Sequence, residues 1–210
     1  METNLQPKLD MATPSAGERE FVRSPNAVKW TRADCEKLEA VGILTRRYEL
    51  VEGDIIYKMP QKTAHRNCVN RAADWLNGIF GVDLVQTQAA IDVSPEDNPT
   101  SAPEPDALLL HRPRTDSDPD NPTPNEIALC IEVGNSTMSY DLSVKAGLYA
   151  RAGIVEYWVV GIPNRTVTVH RDSADGKYAT ITMHRDGDTV TLASDARASV
   201  AVSELLPPMN

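Results

Sequence analysis

Apolar residues recur at three-to-four spacing between Thr63 and Phe80, where Val69, Ala72, Ala73, Leu76, Ile79 and Phe80 share one face. This spacing predicts an amphipathic helix, closed by Gly81. A shorter helix is expected from Thr31, a capping residue with Asp34 at the matching third position, to about Val41–Gly42. Y-E-L-V-E-G-D-I-I-Y-K-M (48–59) reads as a hairpin turning at Glu52-Gly53-Asp54. Residues 84–93 alternate partially, as a strand with one buried face does. The runs 105–110, 126–133 and 155–161 are apolar enough for central strands, and a helix from about Ser139 to Ala152 separates the last two. R-T-V-T-V-H-R (165–171) alternates strictly and fits an edge strand, and 175–184 and 188–193 add strand-like pieces. Residues 94–103 and the proline-dense 111–125 are loops. The polar residues 1–26 are expected to be a flexible N-terminal segment ahead of one folded domain, 27–210. The order α-ββ-α-β-β-β-α-β-β predicts an α/β (α+β) domain with a mixed β-sheet flanked by helices.

Composition narrows the function classes. The 210 residues suffice for one well-filled core, and 41% hydrophobic with 24% charged residues is ordinary for a globular protein. A net charge of −9 argues against a binder whose whole basic surface supplies the affinity for nucleic acid. It leaves room for a nuclease in which acids gather a metal while a local basic groove faces phosphates. The three cysteines form no C-x-x-C pair, so neither a zinc site nor a disulfide framework is indicated. No apolar stretch is long enough to span a membrane, no signal peptide pattern opens the chain, and a cytoplasmic location is expected.

The chemistry concentrates in one stretch. Asp106 opens an apolar strand and Glu132 closes another, so pairing of the two strands would bring both carboxylates to one end of the sheet. Each alone reads as solvated edge decoration; together they repel unless a cation sits between them. Lys145 lies on the following helix between Asp141 and Tyr149 at i±4. It is either half of a surface Asp–Lys pair or a lysine turned toward Glu132. Glu49, at the start of the hairpin, is a third acid if that strand lies beside Asp106; Glu52 reads as turn chemistry and His65 as a helix-terminal cap or surface group. Two carboxylates with a lysine close behind suit a hard divalent cation and phosphodiester hydrolysis. Phosphate-loop, dinucleotide-binding and serine-hydrolase motifs are missing from the sequence.

The ordered set Y-E-L-V-E-G-D-I, His65, P-E-P-D-A, I-E-V-G-N-S-T and D-L-S-V-K-A-G-L-Y-A-R-A-G-I-V-E-Y-W-V-V resembles the Uma-two family of restriction-endonuclease-like proteins, in the PD-(D/E)XK nuclease superfamily. The resemblance runs from about Trp30 to the C-terminus. It implies a restriction-endonuclease-like core and metal-dependent hydrolysis of DNA. Pro105-Asp106 would be the PD element, and Asp106 and Glu132 would hold Mg²⁺ or Mn²⁺ with the Val133 carbonyl as a further ligand. The superfamily lysine normally stands two residues after the second acid, where this chain has Gly134. Lys145 on the next helix is the match, and Glu49 and His65 match the family's early acid and histidine. A homodimer is expected, since many such cores cut duplex DNA as two-fold dimers. The alternatives are a nuclease-like binding module without catalysis and a hydrolase of a small phosphodiester.

Overall fold

The computed structural model describes residues 27–208; the expected flexible segment 1–26 lies outside them. Helix α1 (Arg32–Ala40) starts at Thr31, whose hydroxyl accepts from the Asp34 N–H at 3.1 Å while the Asp34 carboxylate accepts from the Thr31 N–H at 3.2 Å. Strands β1 (Tyr48–Val51) and β2 (Asp54–Tyr57) form the expected hairpin, with Glu52 and Gly53 both at positive φ in its turn. Helix α2 (Thr63–Phe80) ends at Gly81 as its periodicity predicts.

The main sheet has six strands: β3 (Val85–Gln86), β4 (Ala107–Leu110), β5 (Ile127–Gly134), β6 (Glu156–Gly161), β7 (Thr166–Ala174) and β8 (Lys177–Arg185), side by side in that order. Only β5 and β6 pair in parallel, across the helical crossover α3 (Met138–Tyr140), a π-turn (Asp141–Lys145) and α4 (Ala146–Ala152). Strands β4, β5 and β6 are buried along their whole length, which explains their unbroken apolar runs. On one face the sheet meets α2, where Trp75 stacks on Trp158 with centroids 5.5 Å apart. On the other it meets α4 through Tyr149, Tyr157 and Tyr178. A two-stranded ribbon of β9 (Thr189–Thr191) and β10 (Ser199–Ala201), with α5 (Val202–Leu205), completes the α2 layer. Among the described residues no helix is long and apolar enough to cross a membrane.

Three expectations change. Of the predicted strand 84–93 only Val85–Gln86 pairs; at Gln88 the backbone turns to φ +54° and leaves the sheet, with Arg47 donating to the Gln88 carbonyl at 2.9 Å. The predicted edge strand β7 is internal, flanked by β6 and β8, and β8 is the edge. Its alternation marks two differently buried faces: Val167 and Val169 face the α2 core, while His170 packs among the aromatic rings of the other face. The C-terminal segment, which carried no predicted element beyond 193, adds β10 and α5 and buries Leu205 and Leu206 completely.

Burial lowers the His170 pKa below its ordinary value near 6.5, although the Tyr157 carbonyl beside its Nδ1 at 3.3 Å works the other way. The imidazole is therefore neutral in the folded state, and its contribution to stability is complete above pH 6.5 and lost as pH falls toward the folded-state pKa. Urea unfolding between about pH 7.5 and 5 is expected to show this loss in the wild type and a flatter profile in His170→Phe. Parallel profiles would count against it.

Candidate active site

The ladder between β4 and β5 ends at the pair Ala107–Ile131, so Asp106 and Glu132 are the next residue on each strand. Asp106 is fixed there by the Val133 N–H, which donates to its Oδ2 at 2.8 Å, and by His65 Nε2 of α2 at 3.3 Å from the same oxygen. Cys130 and Glu132 point to the face that α4 covers. Lys145 Nζ reaches Glu132 Oε1 at 2.8 Å, and Tyr149 OH donates to the same oxygen at 2.9 Å.

The hairpin supplies the fourth side chain by its alternation. Val51 packs on Leu148 of α4, so Glu49, two residues earlier on the same strand face, meets Lys145 one turn back on the helix. Its Oε2 lies 2.9 Å from Lys145 Nζ and 3.3 Å from Lys58 Nζ, and accepts from the Glu104 N–H at 3.2 Å. Lys145, only 2% exposed, is thus held between two carboxylates from different elements. Asp141, read from sequence as half of a possible surface pair, is buried in the π-turn, where Thr137 donates to it at 2.9 Å.

Glu49, Lys58, His65, Asp106, Glu132, Asp141 and Lys145 line one cleft of about 1190 Å³ between the hairpin, the start of α2 and the segment from Asn135 to Lys145; Val133 lines it as well, and Tyr149 lies behind Glu132. Burial pushes the Glu132 carboxyl up to about 8, opposed by Lys145 and reinforced by Asp106. Burial also raises Asp141, to about 6. For Glu49 burial acts upward too, yet Lys145 and Lys58 outweigh it and hold the carboxyl below the usual range. Asp106 is likewise held low, the upward pull of burial being overcome chiefly by its hydrogen bond with His65. Burial would depress Lys145, but Glu132 and Glu49 keep it charged, well above its ordinary value.

The donor set suits a hard cation. Asp106 Oδ1 and Glu132 Oε2 carry no hydrogen bond among the described residues, and both side chains line the cleft. Two carboxylates with a neighbouring backbone carbonyl are what Mg²⁺ takes from a protein while keeping several waters. Among the described residues no cluster of three or more Asp, Glu, His or Cys side chains forms a fuller cage.

Gly134, where the resemblance would expect a lysine, is closely packed. A Cβ on Gly134 would stand 3.1 Å from both Cα and Cβ of Met138, so the start of α3 fills the space that a side chain at this position needs. Sequence reasoning grouped Asp106, Glu132, Lys145, Glu49 and Val133, and the fold brings all five to this cleft. Tyr149 reads from sequence as a stripe neighbour of Lys145, and the D-x-x-x-K-x-x-x-Y spacing signals it; Lys58 is signalled by the hairpin register, which sets it opposite Arg47 and diagonal to Glu49.

A family model described as "Putative restriction endonuclease" (Uma2) matches residues 37–203. Among curated proteins none matches the chain. Among solved structures, the chain is similar to the crystal structure of "a putative nuclease belonging to DUF820" from Anabaena variabilis, with a TM-score of 0.61 and 15% identity over 80% of this chain and 96% of that one. At that identity the likeness establishes the shared fold, a mixed sheet flanked by helices.

Gly134→Ala is expected to lower stability by about 1–3 kcal/mol through overpacking against Met138. Gly134→Lys should cost more without placing an ammonium in the cleft. Urea unfolding of the two variants measures this, and a wild-type midpoint for Gly134→Lys would contradict it.

Proposed function

Because the chain belongs to the Uma2 family, whose description is "Putative restriction endonuclease", we propose that it is a metal-dependent endonuclease that hydrolyses DNA phosphodiester bonds. The observation that carries this reading is the convergence of Asp106, Glu132 and Lys145 in one cleft, with the lysine buried against the second acid at 2.8 Å. Asp106 and Glu132, with the Val133 carbonyl, are the residues that would hold Mg²⁺ or Mn²⁺. Such an ion supplies a Lewis acid and lowers the pKa of a water it binds.

The remaining work falls to the chain's own groups. Lys145 keeps its proton, so its ammonium can orient an attacking water and stabilise charge growing on the phosphoryl oxygens. Glu49 and Tyr149 set its direction: Glu49 from the hairpin side, Tyr149 by sharing Glu132 Oε1. His65 fixes the rotamer of Asp106. A core with one such site cuts one strand, so double-strand cleavage calls for two copies, and a two-fold homodimer is the expected assembly. The buried free thiols Cys35, Cys68 and Cys130 support a cytoplasmic setting.

Asp106→Asn, Glu132→Gln and Lys145→Met should each lower Mg²⁺-dependent cleavage of plasmid DNA by at least about a hundredfold while leaving the circular dichroism of the fold in place. Variants that cut as well as the wild type would remove these assignments. Mn²⁺ binding by isothermal titration should tighten as pH rises, levelling above about 8, because the Glu132 carboxyl must lose its proton to become a ligand. Affinity that is flat between about pH 6 and 9 would contradict that role.

A further inference from the structure

The cleft has one wall whose charge the chain itself leaves unanswered. Lys62 is the N-cap residue of α2, with extended backbone just ahead of the helix, and His65 and Arg66 follow it in the first turn. His65 reaches down to Asp106 at 3.3 Å, so the side chains flanking it border the cleft beside the acidic floor, and both Lys62 and Arg66 line it. Other cations of this cleft are tied to the protein. Arg47 binds Glu104 and Gln88, Lys58 binds Glu49 and the Glu104 carbonyl, and Lys145 is enclosed by Glu49 and Glu132. Lys62 and Arg66 are exposed, and among the described residues neither side chain has an ion pair or hydrogen bond.

Nothing in folding favours this placement. Two like charges one helical turn apart repel, and cations at a helix N-terminus oppose the macrodipole. The first turn of α2 carries no acid to offset them. Asn135, Ser136, Thr137 and Ser139, which also line the cleft, are neutral and carry hydroxyl and amide groups. In a chain of net charge −9, an uncompensated pair on one rim of an acid-floored cleft suits a polyanion that lies along that rim.

We propose that Lys62 and Arg66 hold successive phosphates of a nucleic-acid strand beside Asp106, which makes the substrate a polymer and not a small phosphodiester. This rests on the nuclease reading of the same cleft. With Lys62 just ahead of the helix and Arg66 in its first turn, the two cations offer neighbouring contacts to phosphates of one strand and leave the bases free, so the contact positions the strand without reading its sequence.

Fluorescence anisotropy with a labelled DNA oligonucleotide, single-stranded and as a duplex, tests this over a series of salt concentrations with Ca²⁺ present. The comparison is between wild type, the double variant Lys62→Gln/Arg66→Gln, and a control, Lys37→Gln/Lys177→Gln, whose exposed lysines lie outside the cleft. The cleft variant should bind at least about tenfold more weakly at low salt, with a log–log salt slope shallower by about 1.4–1.8, as losing two phosphate contacts requires. Its Tm should equal or exceed that of the wild type, and the control should match the wild type throughout. Unchanged affinity and slope in the cleft variant, with DNA still bound by the wild type, would overturn the inference and leave the nuclease reading standing. A wild type that binds no oligonucleotide in either form would overturn both.

Discussion

The site depends on one buried ion cluster: Lys145 enclosed between Glu49 and Glu132. Desolvating an ammonium costs several kcal/mol, and only close counter-charges with further hydrogen bonds offset it. Here the partners come from a hairpin strand and a central sheet strand, while the lysine comes from the crossover helix. The cluster joins the hairpin, the sheet and the crossover helix at the cleft, alongside the apolar packing of Val51 and Leu148, so the geometry of the site is tied to the way these layers dock. Tyr149 extends the same logic, because its buried hydroxyl has Glu132 Oε1 as acceptor and would otherwise be an unpaired donor.

The entry of the crossover helix follows from a packing constraint. Gly134 ends β5 directly beneath Met138, and Gly161 on the neighbouring strand lies under the same side chain, where an added Cβ would stand 2.9 Å from the Met138 sulfur. The crossover helix thus starts in contact with two adjacent glycines of the sheet. That close approach seats the helix low on the sheet, where Lys145 reaches Glu132. The π-turn over Asp141–Lys145 lies in the same short stretch and carries both Asp141 and Lys145 into the interior; such turns recur at functional sites.

Much of this was legible in the sequence because local and tertiary demands agree. Helix α2 shows its period and its glycine stop, and β4, β5 and β6 show the unbroken apolar runs of strands covered on both faces. The carboxylate pair could be anticipated from strand ends alone, since antiparallel pairing of β4 with β5 fixes which ends meet. The misreadings occur where alternation has more than one cause. In β7, Thr166, Thr168 and His170 are polar yet buried, so a period of two that normally separates core from solvent here separates two interior faces. In residues 87–93 the apolar pattern persists while the backbone is diverted at Gln88, and its polar groups are satisfied by Arg32, Arg47 and the Pro103 carbonyl, partners remote in sequence. Lys58 joins the site as the diagonal cross-strand neighbour of Glu49, a contact that follows from the hairpin register once the turn at Glu52-Gly53 is placed.

Charge distribution reconciles an acidic protein with the anionic substrate proposed for it. Away from the cleft the arginines are largely used within the fold: Arg112 on Asp118 and Glu126, Arg151 on Glu52 and Asp97, Arg165 on Asp186, Arg171 on Glu156. Such pairs contribute little field beyond their own neighbourhood, because opposite charges a few ångströms apart cancel and salt screens the remainder beyond about 8–10 Å. What a ligand meets in the cleft is set by the groups that stay unbalanced there. The floor holds Asp106, kept ionised by His65, beside Glu132, whose burial makes ionisation costly, so it favours a cation; the start of α2 holds Lys62 and Arg66, without side-chain partners among the described residues, so it favours an anion. A metal ion and a phosphate backbone answer these two demands side by side, and the net charge of the whole molecule has little part in either.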